Sequence, residues 1–560
     1  MRSLFGGVIL VTVGLIQPVH ADSREHTLDA MQAEIERSRS QLKLEGFDAP
    51  YFIGYRLVDE HHVQVEANFG SLTGDQKDRS RRAAVDVRVG DYSFDSSPDA
   101  DHSLSLDYDT FTPSANAPLT DDPSGLRATL WLLTDTAYKE ALGTFLRKKA
   151  KAVNRVKKVH VDSLSREVAT RAVEPRLTPT VDREGWKLMV GRLSKRFRNQ
   201  AKMLVGEVSF GLRHTRTFIA NSEGARIVKE RAIYQLIVNA ATRAPDGLML
   251  EQGRTKYFRS LKQLPDMKSL ETMVDDVIKD LMALRAAPVA DPYTGPAILE
   301  SEASGVFFHE TIGHRLEGER QNDDSEGQTF KGQLGKRILP DFISITDDPT
   351  LTTMSSHSLN GHYTFDDQGV PAQKVELIAN GILKTFLTSR TPIEKVAKSN
   401  GHGRAQRIRR PVARMGNLLV KSERQVDRKE LKAMLIAEAK RQKKPYGLII
   451  ADITGGSTNT SNYGYQAFKG TPRMVYRVDA ETGVETLVRG VEMVGTPLTA
   501  INKIVATGKS TGVFNGYCGA ESGYVPVSAI APSVLFKEIE LQRTKREKRR
   551  MPVLKAPWQE

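Results

Sequence analysis

The 560-residue sequence predicts a chain in two parts, α/β in front and mostly β behind. Three observations carry that reading. Up to about residue 284, stretches of period-2 and of helical hydrophobic spacing follow one another. A Pro-bearing connector, AAPVADPYTG, then starts at Ala286. Beyond it, short apolar runs bounded by turn residues outnumber helical patterns. A chain of this length holds two or more domains with substantial cores.

The elements follow in order. Residues 1–21, MRSLFGGVILVTVGLIQPVHA, contain Arg2, an apolar run from Leu4 to Ile16, and Ala21 ahead of Asp22. That is the layout of a signal peptide, too short for a convincing anchor, so the mature chain is expected to be periplasmic or secreted. Residues 27–44 repeat Leu28, Met31, Ile35 and Leu42 at helical spacing. Residues 50–70 and 83–94 alternate as half-buried strands do. Residues 98–123, rich in Asp, Ser and Pro, read as a loop, and 127–156 as a long helix. Residues 206–247 read as further strands turning at 221–224, and 264–284 as a helix. The front domain is therefore placed at 22–290.

Behind the connector, 295–301 reads as a strand and 302–319 as one helix. Residues 337–349 and 373–389 read as strands, the second turning at Asn380-Gly381. Asp427 and Glu430 open a helix over 428–443, which Pro445 closes. Residues 446–453 form a buried strand, 455–465 a Gly- and Asn-rich loop, and the rest strands and turns. This second domain is placed at 291–541, with a basic tail at 542–560. The net charge of +13 is spread along the chain, and no nucleic-acid-binding signature accompanies it, so it reads as a solvated basic surface.

The chemistry concentrates in FFHETIGHRLEGE, residues 307–319. His309 is followed directly by Glu310, the order of a zinc-peptidase motif in which the carboxylate takes a proton from a metal-activated water. His314, however, is five residues on. At about 100° per residue, positions five apart sit about 140° around a regular helix and cannot share one ion. A π-bulge at Gly313 would realign them. Catalytic zinc takes three protein ligands and keeps one open position. Spacing alone leaves the third ligand open among Glu317, His357, His362 and Cys518. Cys518, the chain's one cysteine, lies among Gly516, Gly519 and Gly523 and has no intramolecular disulfide partner.

These segments resemble the TldD/TldE (PmbA) metallopeptidase family, in its active TldD-like branch. The resemblance rests on GVFFHETIGHRLEGE, TFDDQGVPAQKVELIANGILKTFLTSR, NGHGRAQRIRRPVARMGNLLV and GYCGAESGYVPVS, in that order, over roughly residues 292–541. It implies Zn2+ held by His309, His314 and Cys518, with Glu310 as general base. It further implies an N-terminal α/β domain, a β-rich C-terminal domain carrying the site, and dimers, homomeric or with a related chain. Peptides or unfolded segments, pairing with a sheet edge, are the implied substrates. Arg414 and Asn417 match a family stretch near the cleft and are assigned substrate contact, whereas His402 is read as incidental. An export signal departs from the family's cytoplasmic members. Two other readings compete: a non-catalytic dimeric scaffold, and a peptidase of the dipeptidyl peptidase III type. No EE-x-x-AE-like segment supports the latter.

Overall fold

A computed structural model describes residues 22–97, 113–152, 161–463 and 467–544. The expected signal peptide and nearly all of the basic tail lie outside the described residues. Helix α1 is Ser23–Gln41; β1 (Phe52–Asn68) and β2 (Ser71–Arg88) form a long hairpin; β3 is Ser114–Asn116. Helix α2 (Pro123–Ala152), β4 (Arg171–Val173) and α3 (Arg183–Lys195) precede β5 (Met203–Asn221), β6 (Arg226–Arg243), β7 (Met249–Phe258) and α4 (Met267–Ala286). The strands make a seven-stranded sheet ordered β3-β2-β1-β5-β6-β4, with β7 also on β6. Its long pairings are antiparallel.

The period-2 pattern of β1 explains the layering. Ile53, Tyr55 and Leu57 share one face with Val63, Val65 and Ala67, because alternate strand residues point the same way. The first three pack with Leu28, Met31, Leu130 and Tyr138 of α1 and α2. The second three pack with Trp186 and Val190 of α3 and with Val274 and Leu281 of α4. Two helix pairs thus sit end to end on one face of the sheet. The opposite face meets the second half of the chain: Arg56 donates to the Arg409 carbonyl, and Glu60 pairs with Arg407 at 2.6 Å.

The second half is built on a twelve-stranded mixed sheet. Its main elements are β8 (Tyr293–Leu299), α5 (Ser301–Thr311), β9 (Ile343–Asp347), β10 (Val375–Ala379), β11 (Asn417–Ser422) and α6 (Arg428–Arg441). They continue with β12 (Tyr446–Thr458), β13 (Phe468–Asp479), β14 (Val491–Gly495), β15 (Ile504–Ala520) and β16 (Gly523–Arg543). The last strand is the spine. Its first part pairs with β15 and β11, and its second with β8 and β14. With β12 joining β8 to β13, and β13 joining β14, strands β8, β12, β13, β14 and β16 close into a ring. Strand β16 runs two residues into the segment expected as tail.

Helix α5 packs on β16, β12 and β15 and is buried from Ala303 to Thr311. Such a helix, buried on every side, sits inside the core although it carries Ser304, His309, Glu310 and Thr311. Phe307 anchors it, with its ring edge-on to Phe536 at 4.9 Å, Phe308 at 5.5 Å and Phe468 at 5.6 Å between centroids. Residues 455–458, expected as loop, continue β12 as strand. The fold is mixed and strand-rich, as the sequence predicted.

Candidate functional site

The expected single helix over 302–319 is broken in the structure. Helix α5 ends at Thr311, and a 3-10 turn covers Gly313–Leu316. Arg315 supplies the reason. Its guanidinium turns back and donates to the carbonyls of Glu310 and Thr311, both at 3.1 Å. Those are the acceptors that the amides of residues 314 and 315 would occupy in a continuing α-helix. The Arg315 amide bonds Ile312 instead, at 2.9 Å. The five-residue spacing is therefore absorbed by ending the helix, and the expected π-bulge at Gly313 is not formed.

Gly313 acts through space. A methyl group there would meet Met415 Sδ at 2.1 Å and Cε at 3.0 Å. Gly313→Ala is therefore expected to displace Met415 and cost about 1–3 kcal/mol, the usual range for overpacking a core. Urea denaturation checks this; an unchanged midpoint would show that the contact relaxes freely.

Cys518 arrives on the β15–β16 hairpin, paired across it with Val525. The turn is Glu521–Ser522, and Gly523 takes φ +83°, a conformation side chains disfavour. Gly516 and Gly519 instead make room for rings, those of Phe514 and Tyr524 respectively. They do not line the cysteine for close backbone approach.

The hairpin brings Cys518 to the two histidines. His309 Nε2 lies 3.1 Å from Cys518 Sγ, and His314 Nε2 lies 3.3 Å from it. The three ligand atoms fall within 4.8 Å of one another, and all three residues are buried. Tetrahedral zinc with bonds of about 2.0–2.3 Å separates its donors by about 3.3–3.8 Å. The donor set and its spacing fit that ion. Among the described residues this is the one such cluster of three or more His, Cys, Asp or Glu.

Charge is arranged around the thiol. Burial alone would push Cys518 up, but His314, His309 and Arg414 outweigh it and hold the thiol well below its ordinary range. Burial would likewise push both imidazoles down, and the thiolate outweighs it, raising His309 and raising His314 further. Glu310 Oε2 stands 3.9 Å from His314 Nε2. Its side chain packs on Gly456 of β12, where a methyl group would approach Glu310 Cγ to 2.6 Å.

Glu317, weighed above as a ligand, sits behind His314. Its Oε2 lies 3.0 Å from His314 Nδ1 and accepts from Arg320 Nε and Nη2 at 3.1 and 3.0 Å. His357 is exposed on the cavity wall, and His362 Nδ1 meets the Pro349 carbonyl. His402 is buried against Asp347 and Asn400. The structure brings neither Arg414 nor Asn417 to the cavity. Both are fully buried. Arg414 donates to the carbonyls of Cys518 (2.7 Å) and Gly523 (3.0 Å) and to Ser522 Oγ (2.9 Å). Asn417 donates to the carbonyls of Asp348 and Leu351. Their expected substrate contact is corrected to contact with the protein's own backbone.

The cluster opens on a cavity of about 2350 Å³, walled by both halves of the chain, including Arg254 and Tyr257 of β7 and Glu310 and Cys518. That is well above the roughly 300–1,000 Å³ of small-molecule sites. Arg315, Arg320 and Glu317, which build the site, were not assigned supporting roles from sequence; their placement within six residues of His314 was the available signal.

Comparison with known proteins finds metalloproteases among the relatives. Residues 292–543 match the family described as PmbA/TldA metallopeptidase C-terminal domain. A metalloprotease of Methanocaldococcus jannaschii is 29% identical over 316 residues, covering 55% of this chain and 63% of that one. A zinc metalloprotease TldD homolog of Saccharolobus solfataricus is 28% identical over 262 residues, covering 46% and 53%. The chain thus spans less than two thirds of the length of these curated relatives. Among solved structures, TldE of Thermococcus kodakarensis superposes with a TM-score of 0.60 at 13% identity, covering 92% of this chain and 100% of that one, a likeness of fold. The likeness to PmbA/TldD metallopeptidases thus rests on residues 292–543, less than half of the chain.

Proposed function

We propose that this protein is a zinc-dependent peptidase in which His309, His314 and Cys518 hold the metal and Glu310 is the general base. The convergence of two imidazoles and the chain's one thiol beside a motif glutamate, at the edge of a large cavity, carries this reading. Zinc in that set would supply a Lewis acid for the scissile carbonyl and lower the pKa of a water. Glu310 takes the proton from the attacking water and returns it to the leaving amine. Arg414 and Glu317 act on the protein side and leave the cavity to substrate.

The substrate in this reading is a peptide or unfolded segment. Strand β12 supports it: β8 covers its outer edge only at Leu448–Ile450, while the cavity reaches Ile453–Thr458. An extended chain could add there through main-chain bonds. We extend the proposal to a periplasmic or secreted protein, on the layout of residues 1–21, to domains at 22–290 and 291–541, and to a dimer with itself or a related chain.

Metal analysis tests the reading. Purified protein is expected to carry about one zinc per chain and to cleave unstructured peptides, and Cys518→Ser to lose most of the metal, since hydroxyl replaces thiolate poorly. A wild type without zinc, or equal zinc in the variant, would overturn the ligand set.

A further inference from the structure

Two segments far apart in sequence, the one with His309 and His314 and the hairpin with Cys518, must hold three ligand atoms still for one ion, and one carboxylate touches the supports of both. Glu317 is 1% exposed. Its Oε2 accepts two guanidinium hydrogens from Arg320, so that oxygen is an acceptor, and His314 Nδ1, 3.0 Å away, must carry hydrogen toward it. That fixes the tautomer of His314 and leaves Nε2, the nitrogen facing Cys518, with its lone pair for metal. The other oxygen, Oε1, lies 3.3 Å from Arg414 Nε. Arg414 in turn grips the Cys518 carbonyl and the hairpin turn at Ser522 and Gly523. Arg320 extends the same node to Glu521 in that turn at 2.9 Å, and to Glu326 and Thr460 on the cavity wall at 2.8 and 3.1 Å.

Building on the metal-site reading above, we infer that Glu317 is a positioning residue that orients two ligands at once, His314 directly and Cys518 through Arg414. It touches neither metal nor substrate. Outer partners of this kind commonly govern metal affinity by about 10–100-fold. Glu317→Gln keeps the shape and one acceptor oxygen but removes the charge that both arginines face. Glu317→Ala removes everything.

The test measures metal binding and site geometry, with activity set aside. Chelator competition is expected to show zinc affinity about 10–100-fold weaker in Glu317→Gln and weaker again in Glu317→Ala. The visible spectrum of the cobalt-substituted protein, including its thiolate-to-metal band, is expected to shift in Glu317→Gln. Nitrogen-15 spectra of zinc-loaded wild type are expected to show His314 with hydrogen on Nδ1 and metal on Nε2. That measurement holds even if a variant does not fold. Metal on Nδ1 of His314 overturns the inference, as does a folded Glu317→Gln with wild-type affinity and spectrum. A wild type that takes no zinc at all overturns the underlying metal assignment, a separately recognisable result.

Discussion

Glu310→Gln is expected to slow peptide hydrolysis by about 10²–10⁴-fold while leaving zinc in place. The substitution keeps the volume beside Gly456 and removes only the capacity to accept a proton. None of the three ligand atoms belongs to Glu310. General-base groups contribute about 10²–10⁴-fold to rate, so kcat should fall by that factor with metal content unchanged. Single-turnover assays beside metal analysis separate the two effects. Wild-type cleavage in the variant would remove Glu310 from the chemistry; loss of zinc would move it into the ligand set.

The second large effect is on stability. Arg414→Ala is expected to lower unfolding free energy by about 3–5 kcal/mol, the range for breaking a buried charged network from one side. The guanidinium is fully buried and serves two carbonyls, the Ser522 hydroxyl and Glu317. Alanine leaves the two carbonyls and the hydroxyl without that donor, and removes one of the charges facing Glu317, in a site too enclosed for easy solvation. Urea denaturation reads the loss directly. A change under about 1 kcal/mol would mean that the hairpin holds its own shape.

Legibility in the sequence tracked how directly each side chain reports its surroundings. The strand β1 was plain because its alternate residues meet a helix-covered face. The first two thirds of β2 were not, because SLTGDQKDRSRR is mostly exposed and is held by backbone pairing to β1, which leaves no hydrophobic pattern. Helix α3 was readable in principle: Asp182 caps it, and Trp186, Met189, Val190 and Leu193 recur at helical spacing. The end of α5 was not readable, since Arg315 imposes it from beyond the last helical turn. At the site, the histidine spacing announced a metal and an irregular helix. It could not say which of cysteine, glutamate and histidine joins the two imidazoles, because the β15–β16 register is what brings Cys518 to them. Family resemblance supplied what periodicity could not.

The position of β16 in the ring has a consequence for timing. Strand Gly523–Arg543 pairs with the strand bearing Cys518 and closes the ring around the helix bearing His309. A chain still being made lacks that closing strand until Gly523–Arg543 has emerged. Over 200 residues separate Cys518 from His309, so the site forms only from contacts that are slow to find one another. The cluster of His309, His314 and Cys518 therefore assembles only once Gly523–Arg543 is in place, and a fragment stopping before Gly523 has the motif without the assembled cluster.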